Sequence, residues 1–184
     1  LQLLQPLLPT FDAEQKSNIK PNNLIISATV LRTDIAFFHL DSDAQLARQW
    51  LKRLSLMVPA IDENSQIHLA RLLRFEAHVH QIEDRPDRAL EKVDAALQIY
   101  RDTASRPAIA STLAEKAKLL MEAKKWDYAE NILDRALYIR LWIMDKRGSL
   151  KVMKLLHETY LATDQQSKAI EISKEMDRIT VQDE

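Results

Sequence analysis

The sequence predicts an all-α solenoid of about four antiparallel helix hairpins. Three observations carry this expectation. Alanines return at a fixed interval, a second amphipathic stretch precedes each of them, and there is a single glycine in 184 residues. In DRALEKVDAALQIY, DYAENILDRALYIR and SKAIEISKEMDRIT, alanine takes the third position, so Ala89, Ala129 and Ala169 stand 40 apart. Seven residues after each come Ala96, Ala136 and Met176, and four after come Val93, Leu133 and Ser173. A weaker copy, QLARQWLKRL, sets Ala47, Leu51 and Leu54 in the same roles, 42 residues before Ala89. Self-similarity at a period of this size signals stacked units. A hairpin of this length cannot bury its own apolar stripe, so each unit needs its neighbours.

The stretch ahead of each alanine supplies the first helix of its hairpin. Leu31, Leu73, Leu113 and Met153 lie sixteen residues before the respective alanines, Ile35, Ala77, Ala117 and His157 twelve before, and Phe38, His80, Leu120 and Tyr160 nine before. Steps of four and three keep these side chains on one helical face. Short polar joints separate the two helices of each unit: LDSD from Leu40, EDRP from Glu83, AKKW from Ala123 and TDQQ from Thr163. Pro86 sits where a helix opens, a position at which its missing N–H is not needed. The units span about 24–59, 63–104, 107–146 and 148–180, preceded by a linker or packing segment over 1–23. That segment begins LQLLQPLLP, an apolar run broken by proline, and is expected to fold back on the first unit.

Composition narrows the function. The net charge is −1, which gives no overall attraction to nucleic acid or an anionic membrane, so a charge-selective partner has to read a local patch. The chain has no cysteine, which removes disulfides and thiolate chemistry. No apolar run reaches the roughly 18 residues of a membrane span. A cytoplasmic setting is the expectation, as part of a longer polypeptide, because the chain starts at Leu1. Phosphate loops, nucleophile elbows and dinucleotide folds need glycine where backbone meets ligand, and the lone Gly148 in DKRGSLK fits none of them.

Small residues in the first helix and at two places in the second, with an aromatic at the turn between them, resemble the tetratricopeptide repeat. The resemblance runs from about Leu24 to Ile179 and is clearest over Leu113–Leu137, where Ala117, Trp126, Ala129 and Ala136 hold the matching positions. It implies a right-handed solenoid in which Ala77, Ala89, Ala96, Ala117, Ala129, Ala136 and Ala169 are packing residues. Three departures stand out. The usual repeat is about 34 residues, against 40 here. The apolar residue before the small residue of the first helix is replaced by Asp34, Glu76 and Lys116. His157 and Ser173 occupy packing positions of the last unit. Longer repeats of this kind resemble those of bacterial signalling and transcription regulators and of kinesin light chains.

The resemblance also implies a concave surface lined by the first helices. Transferred by register, its positions are Thr29, Arg32, Ala36 and His39 in the first unit, and Arg71, Arg74, His78 and Gln81 in the second. The third unit supplies Ser111, Ala114, Lys118 and Met121, and the fourth Lys151, Lys154, Glu158 and Leu161. Arg32, Arg71, Arg74, His78, Lys118, Lys151 and Lys154 make this the candidate partner-binding groove, fitted to an acidic protein or peptide because arginine and lysine grip carboxylates. The bland alternative is a solvated helix face, since both residues are good helix formers. The family's carboxylate clamp uses asparagines where this chain has His78 and Glu115, so that specificity does not transfer.

No cofactor, metal or catalytic site is expected. His78 and His80 are two apart and point to different sides of a helix, and nothing places an oxyanion hole. Ile139, Trp142 and Ile143 form one apolar stripe, expected to pack on the next unit or to offer a second contact surface. The last helix keeps Ile170, Ile172, Met176 and Ile179, which leaves the terminal repeats open to self-association or to cover by following sequence. The reading is a non-catalytic protein–protein interaction module of a larger regulatory protein. The alternative is a ligand- or signal-responsive sensor domain.

Overall fold

The computed structural model describes residues 66–181, all of it helices and short joints. The helices are α1 (Gln66–Ile82), α2 (Pro86–Asp102), α3 (Arg106–Glu122), α4 (Trp126–Trp142), α5 (Lys146–Ala162) and α6 (Gln166–Val181). They pair as α1 with α2, α3 with α4 and α5 with α6, three hairpins stacked as an all-α repeat solenoid. The expected linker over 1–23 and first unit over 24–59, with Arg32, His39, Ala47 and Trp50, lie outside the described residues.

The 40-residue period has a local cause. Five helices are 17 residues long, and each is followed by a three-residue joint. Asp84, Ala104, Lys124, Met144 and Asp164, the middle residues of those joints, have φ between 52° and 58°. Each helix end closes with the same pair of bonds. After α1 the Arg85 N–H reaches the His80 carbonyl at 2.8 Å, and the Asp84 N–H reaches the Gln81 carbonyl at 3.0 Å. Equivalent pairs follow α2 to α5, and this is the Schellman closure, which satisfies carbonyls that a helix terminus leaves bare. The third joint residue also starts the next helix. The Arg85 carbonyl accepts from Ala89 N–H, as Ser105 does from Ile109 and Lys125 from Ala129. The joints between hairpins are therefore built like the joints within them, and the extra length over a 34-residue repeat lies in the helices.

The alanine register explains the packing. Ala77, Ala89, Ala96, Ala117, Ala129, Ala136 and Ala169 are all at most 3% exposed. Their small side chains let adjacent helices approach closely, and larger neighbours fill the space on either side. One cluster runs through Leu97, Leu113, Leu120, Leu133, Val152, Leu156 and Tyr160, so the core is continuous from α2 to α6. Ala77, Ala89, Val93 and Leu119 form a second cluster, and Ala70, Ala96 and Tyr100 a third. The charged residues at the departures from the repeat pattern are answered across helices. Glu76 of α1 meets Lys92 of α2 at 3.0 Å, and Lys116 of α3 meets Asp94 of α2 at 2.5 Å.

The last hairpin differs. In α6 only Ala169 is buried. At the positions where α2 has Val93, Leu97 and Tyr100, α6 has Ser173, Asp177 and Thr180.

Candidate partner-binding site

The first helices α1, α3 and α5 form one wall of the stack. Arg74 of α1 donates to Glu115 of α3 through Nε at 2.8 Å and through Nη2 to the other carboxylate oxygen. Two helical turns further on, Gln81 Nε2 donates to Glu122 Oε1 at 2.6 Å. Contact between α3 and α5 continues the wall. The opposite wall, made of the second helices, is more open. Glu130 of α4 accepts from Lys168 Nζ at 2.8 Å and from Gln165 Nε2 at 3.1 Å, near the start of α6. Beyond that bridge lies a groove of about 550 Å³ floored by Leu137, Leu141, Met153, Tyr160 and Ile172. The first-helix side is the one expected, from the resemblance, to be the inner one.

The cations expected on the inner wall divide into two groups. Arg71, Lys118, Lys151 and Lys154 are exposed and make no ion pair among the described residues. Arg74 is half-buried, and its guanidinium is engaged by Glu115. Burial works against its charge, but hydrogen bonding to Glu115 and that carboxylate's charge outweigh it and hold Arg74 above the ordinary arginine value. Tyr100 beside it is pushed up by burial, an effect that Arg74 partly offsets. His78 is half-buried with Nδ1 3.3 Å from Gln81 Oε1, on the same turn of α1. Arg32 lies outside the described residues.

A second polar cluster joins α3, α4 and α5 at the edge of this wall. Arg140 donates through Nη2 to Ser111 Oγ at 2.5 Å and through Nη1 to Asp145. Asp145 Oδ1 accepts from the Gly148 N–H at 2.8 Å and so caps α5. That N–H and the Arg140 guanidinium hold the Asp145 carboxyl below its usual range, against the opposing effect of burial. A Cβ on Gly148 would collide with the Asp145 carboxylate and come within 2.7 Å of Arg140 Cδ. The one glycine of the chain is thus required by a close approach, in a helix with negative φ.

Trp142 departs from the stripe expected for it. Ile139 packs against the core, whereas Trp142 is 55% exposed and Ile143 half-buried. The Arg106 guanidinium lies 3.9 Å over the Trp142 ring centroid. Among the described residues no group of three or more histidines, aspartates or glutamates could hold a metal ion, and no helix is long and apolar enough to cross a membrane.

Paired helices, alanine-mediated contacts and a continuous stacked core define a tetratricopeptide-type repeat fold. Among solved structures, the chain is similar to the nearly identical TPR-like repeats of a Podosopora anserina protein described as a kinesin light chain. That match has a TM-score of 0.71 and 14% identity, and covers 100% of this chain and 88% of that one. A single-substitution variant of the same protein matches with a TM-score of 0.70 and 14% identity, covering 98% of this chain and 86% of that one. No family model and no curated protein matches the chain.

Proposed function

We propose that the chain is a non-catalytic interaction module whose inner wall binds an acidic segment of another protein. The observation that carries this is the contrast among its cations. Arg74, Lys92 and Lys116 are spent on ion pairs within the fold, while Arg71, Lys118, Lys151 and Lys154 stay exposed on the first-helix wall, unpaired among the described residues. In such a groove a carboxylate exchanges water for a fixed cation without breaking an internal bond. Residues 24–59 would add a fourth hairpin of the same plan and extend the wall through Arg32, with 1–23 as a linker.

The test uses a fluorescein-labelled ten-residue glutamate-rich peptide, followed by anisotropy at low and at physiological salt. Arg71→Glu/Lys151→Glu is expected to weaken binding at least tenfold, with a smaller salt dependence than the parent chain. Glu115→Gln, which releases Arg74, is expected to strengthen it several-fold. Equal binding by all three proteins would remove the groove assignment.

A second reading, a ligand-responsive sensor, is favoured by the groove between α4 and α6. Its volume of about 550 Å³ and apolar floor fall in the range of small-molecule sites. Thermal shift against a panel of amphiphilic metabolites tests it, with stabilisation that Leu137→Glu abolishes as the supporting result.

A further inference from the structure

The 40-residue period supplies an internal control for reading the outer face of the stack. Five positions of α4 recur at helical spacing along its outward side: Tyr128, Asn131, Arg135, Tyr138 and Trp142, all exposed. The same positions in α2 hold Arg88, Glu91, Ala95, Gln98 and Asp102, and those in α6 hold Lys168, Glu171, Glu175 and Arg178. The fold therefore accepts stripes with no large apolar residue there. Of these three helices, α4 alone carries large aromatics at the stripe, with Tyr128 and Tyr138 each 71% exposed and Trp142 55%. Leu141 and Met144 widen the patch at the C-terminal end of the helix. Packing does not require these residues outside, and exposed apolar clusters of this kind mark interaction sites.

The charges differ in the same way. In α2 Arg88 pairs with Glu91 at 2.9 Å, and in α6 Arg178 pairs with Glu175 at 3.0 Å, each inside its own stripe. Arg135, in the middle of the α4 stripe, has Asn131, Ile132, Tyr138 and Ile139 at the neighbouring helical positions, and it makes no ion pair among the described residues. Tryptophan, tyrosine and arginine are the residues that dominate binding energy at protein interfaces. Arg106, stacked on Trp142, holds that ring before any partner arrives, which lowers the ordering cost of binding.

We infer that the outer face of α4 is a docking site for a second protein segment, a helix of about four turns with apolar side chains flanking a central carboxylate that meets Arg135. The stripe from Tyr128 to Trp142 is about 21 Å long at 1.5 Å per residue, which fits such a helix. A second copy of this chain is the poorer occupant. Symmetric pairing along the stripe places its midpoint, Arg135, against the same arginine of the other copy. An anionic bilayer is poorer too, because Asp127 and Asp134 lie beside the few cations of this face.

The site is distinct from the inner wall, and its test separates the two. A phage-displayed library of 16-residue helical peptides is selected on the intact chain after depletion on an Arg135→Glu/Trp142→Ala variant. Both positions are exposed, and circular dichroism and melting of the variant verify that it folds. Enriched peptides are expected to carry Asp or Glu between apolar residues and to bind the parent chain at least tenfold tighter than the variant. Replacing that acid with Lys should abolish binding to the parent and restore it to Arg135→Glu alone, a reversal that no purely structural role produces. Arg71→Glu/Lys151→Glu should bind the same peptides unchanged. The inference is overturned by failure to enrich, by peptides without an acid, or by loss of binding in the inner-wall variant. It is equally overturned by a dimer in sedimentation that Tyr138→Arg disperses, or by phosphatidylserine-vesicle binding lost in the depletion variant.

Discussion

At the scale of single residues, Asp145 and Gly148 depend on one another. The carboxylate caps α5 and faces Arg140 in a space that only a residue without a Cβ leaves open. Alanine normally favours a helix over glycine by up to about 1 kcal/mol. Here Gly148→Ala is expected to destabilise by about 1–2 kcal/mol in urea unfolding, because the added methyl displaces the cap. In an Asp145→Ala background the same change should be neutral or stabilising, and a double-mutant cycle reads the coupling directly. The carboxyl also sets a pH response. Its folded value is depressed below the unfolded one of about 3.9, so its contribution is complete above that value. It is lost as pH falls through the folded value. Melting of the parent chain and of Asp145→Asn should therefore differ most near pH 6 and converge only as pH falls below the ordinary aspartate value, through the folded one.

The helix and its joint form the next scale, and here the sequence conceals what the backbone does. Every joint places its middle residue in the left-handed region, yet those residues are Asp, Ala, Lys, Met and Asp. A glycine at such a place would have announced the Schellman closure. Without one, the joints within hairpins are legible from their polarity, and the identical joints between hairpins are not. A left-handed residue with a Cβ costs roughly 1–2 kcal/mol. Lys124→Gly, at an exposed position, should accordingly stabilise by about 0.5–1 kcal/mol once the greater freedom of glycine in the unfolded chain is deducted. A lower denaturation midpoint for that variant would show that the Lys124 side chain contributes more than its backbone strain removes. Side-chain periodicity served better on the buried faces. Ala89, Ala129 and Ala169 were legible because a stacked helix tolerates only a small group there. Arg74 was legible as a residue of the first-helix wall, but its capture by Glu115 links residues 41 apart on different helices and has no local sequence signal. Trp142 shares helical spacing with Ile139, and only the position of the core shows that one points in and the other out.

Across the whole molecule, stability is distributed unevenly along the stack. Hairpins α1–α2 and α3–α4 bury residues on both helices, whereas α6 contributes only Ala169 to the buried set. In a linear array each unit is held by its neighbours alone. Amide exchange should therefore be fastest in α6 and slowest in α3 and α4, with the gradient steepest across the joint at Asp164. Uniform protection from α1 to α6 would contradict this picture. Gly148 adds a final consequence, for the order of the units. Its counterpart in the preceding hairpin, α3–α4, is Ala108, which carries the Cβ that Arg140 and Asp145 exclude. A shuffled chain with a second copy of 106–145 inserted after Asp145 would put that methyl beneath them. Although the hairpins look interchangeable by their period, one missing carbon atom specifies which of them can follow α3–α4.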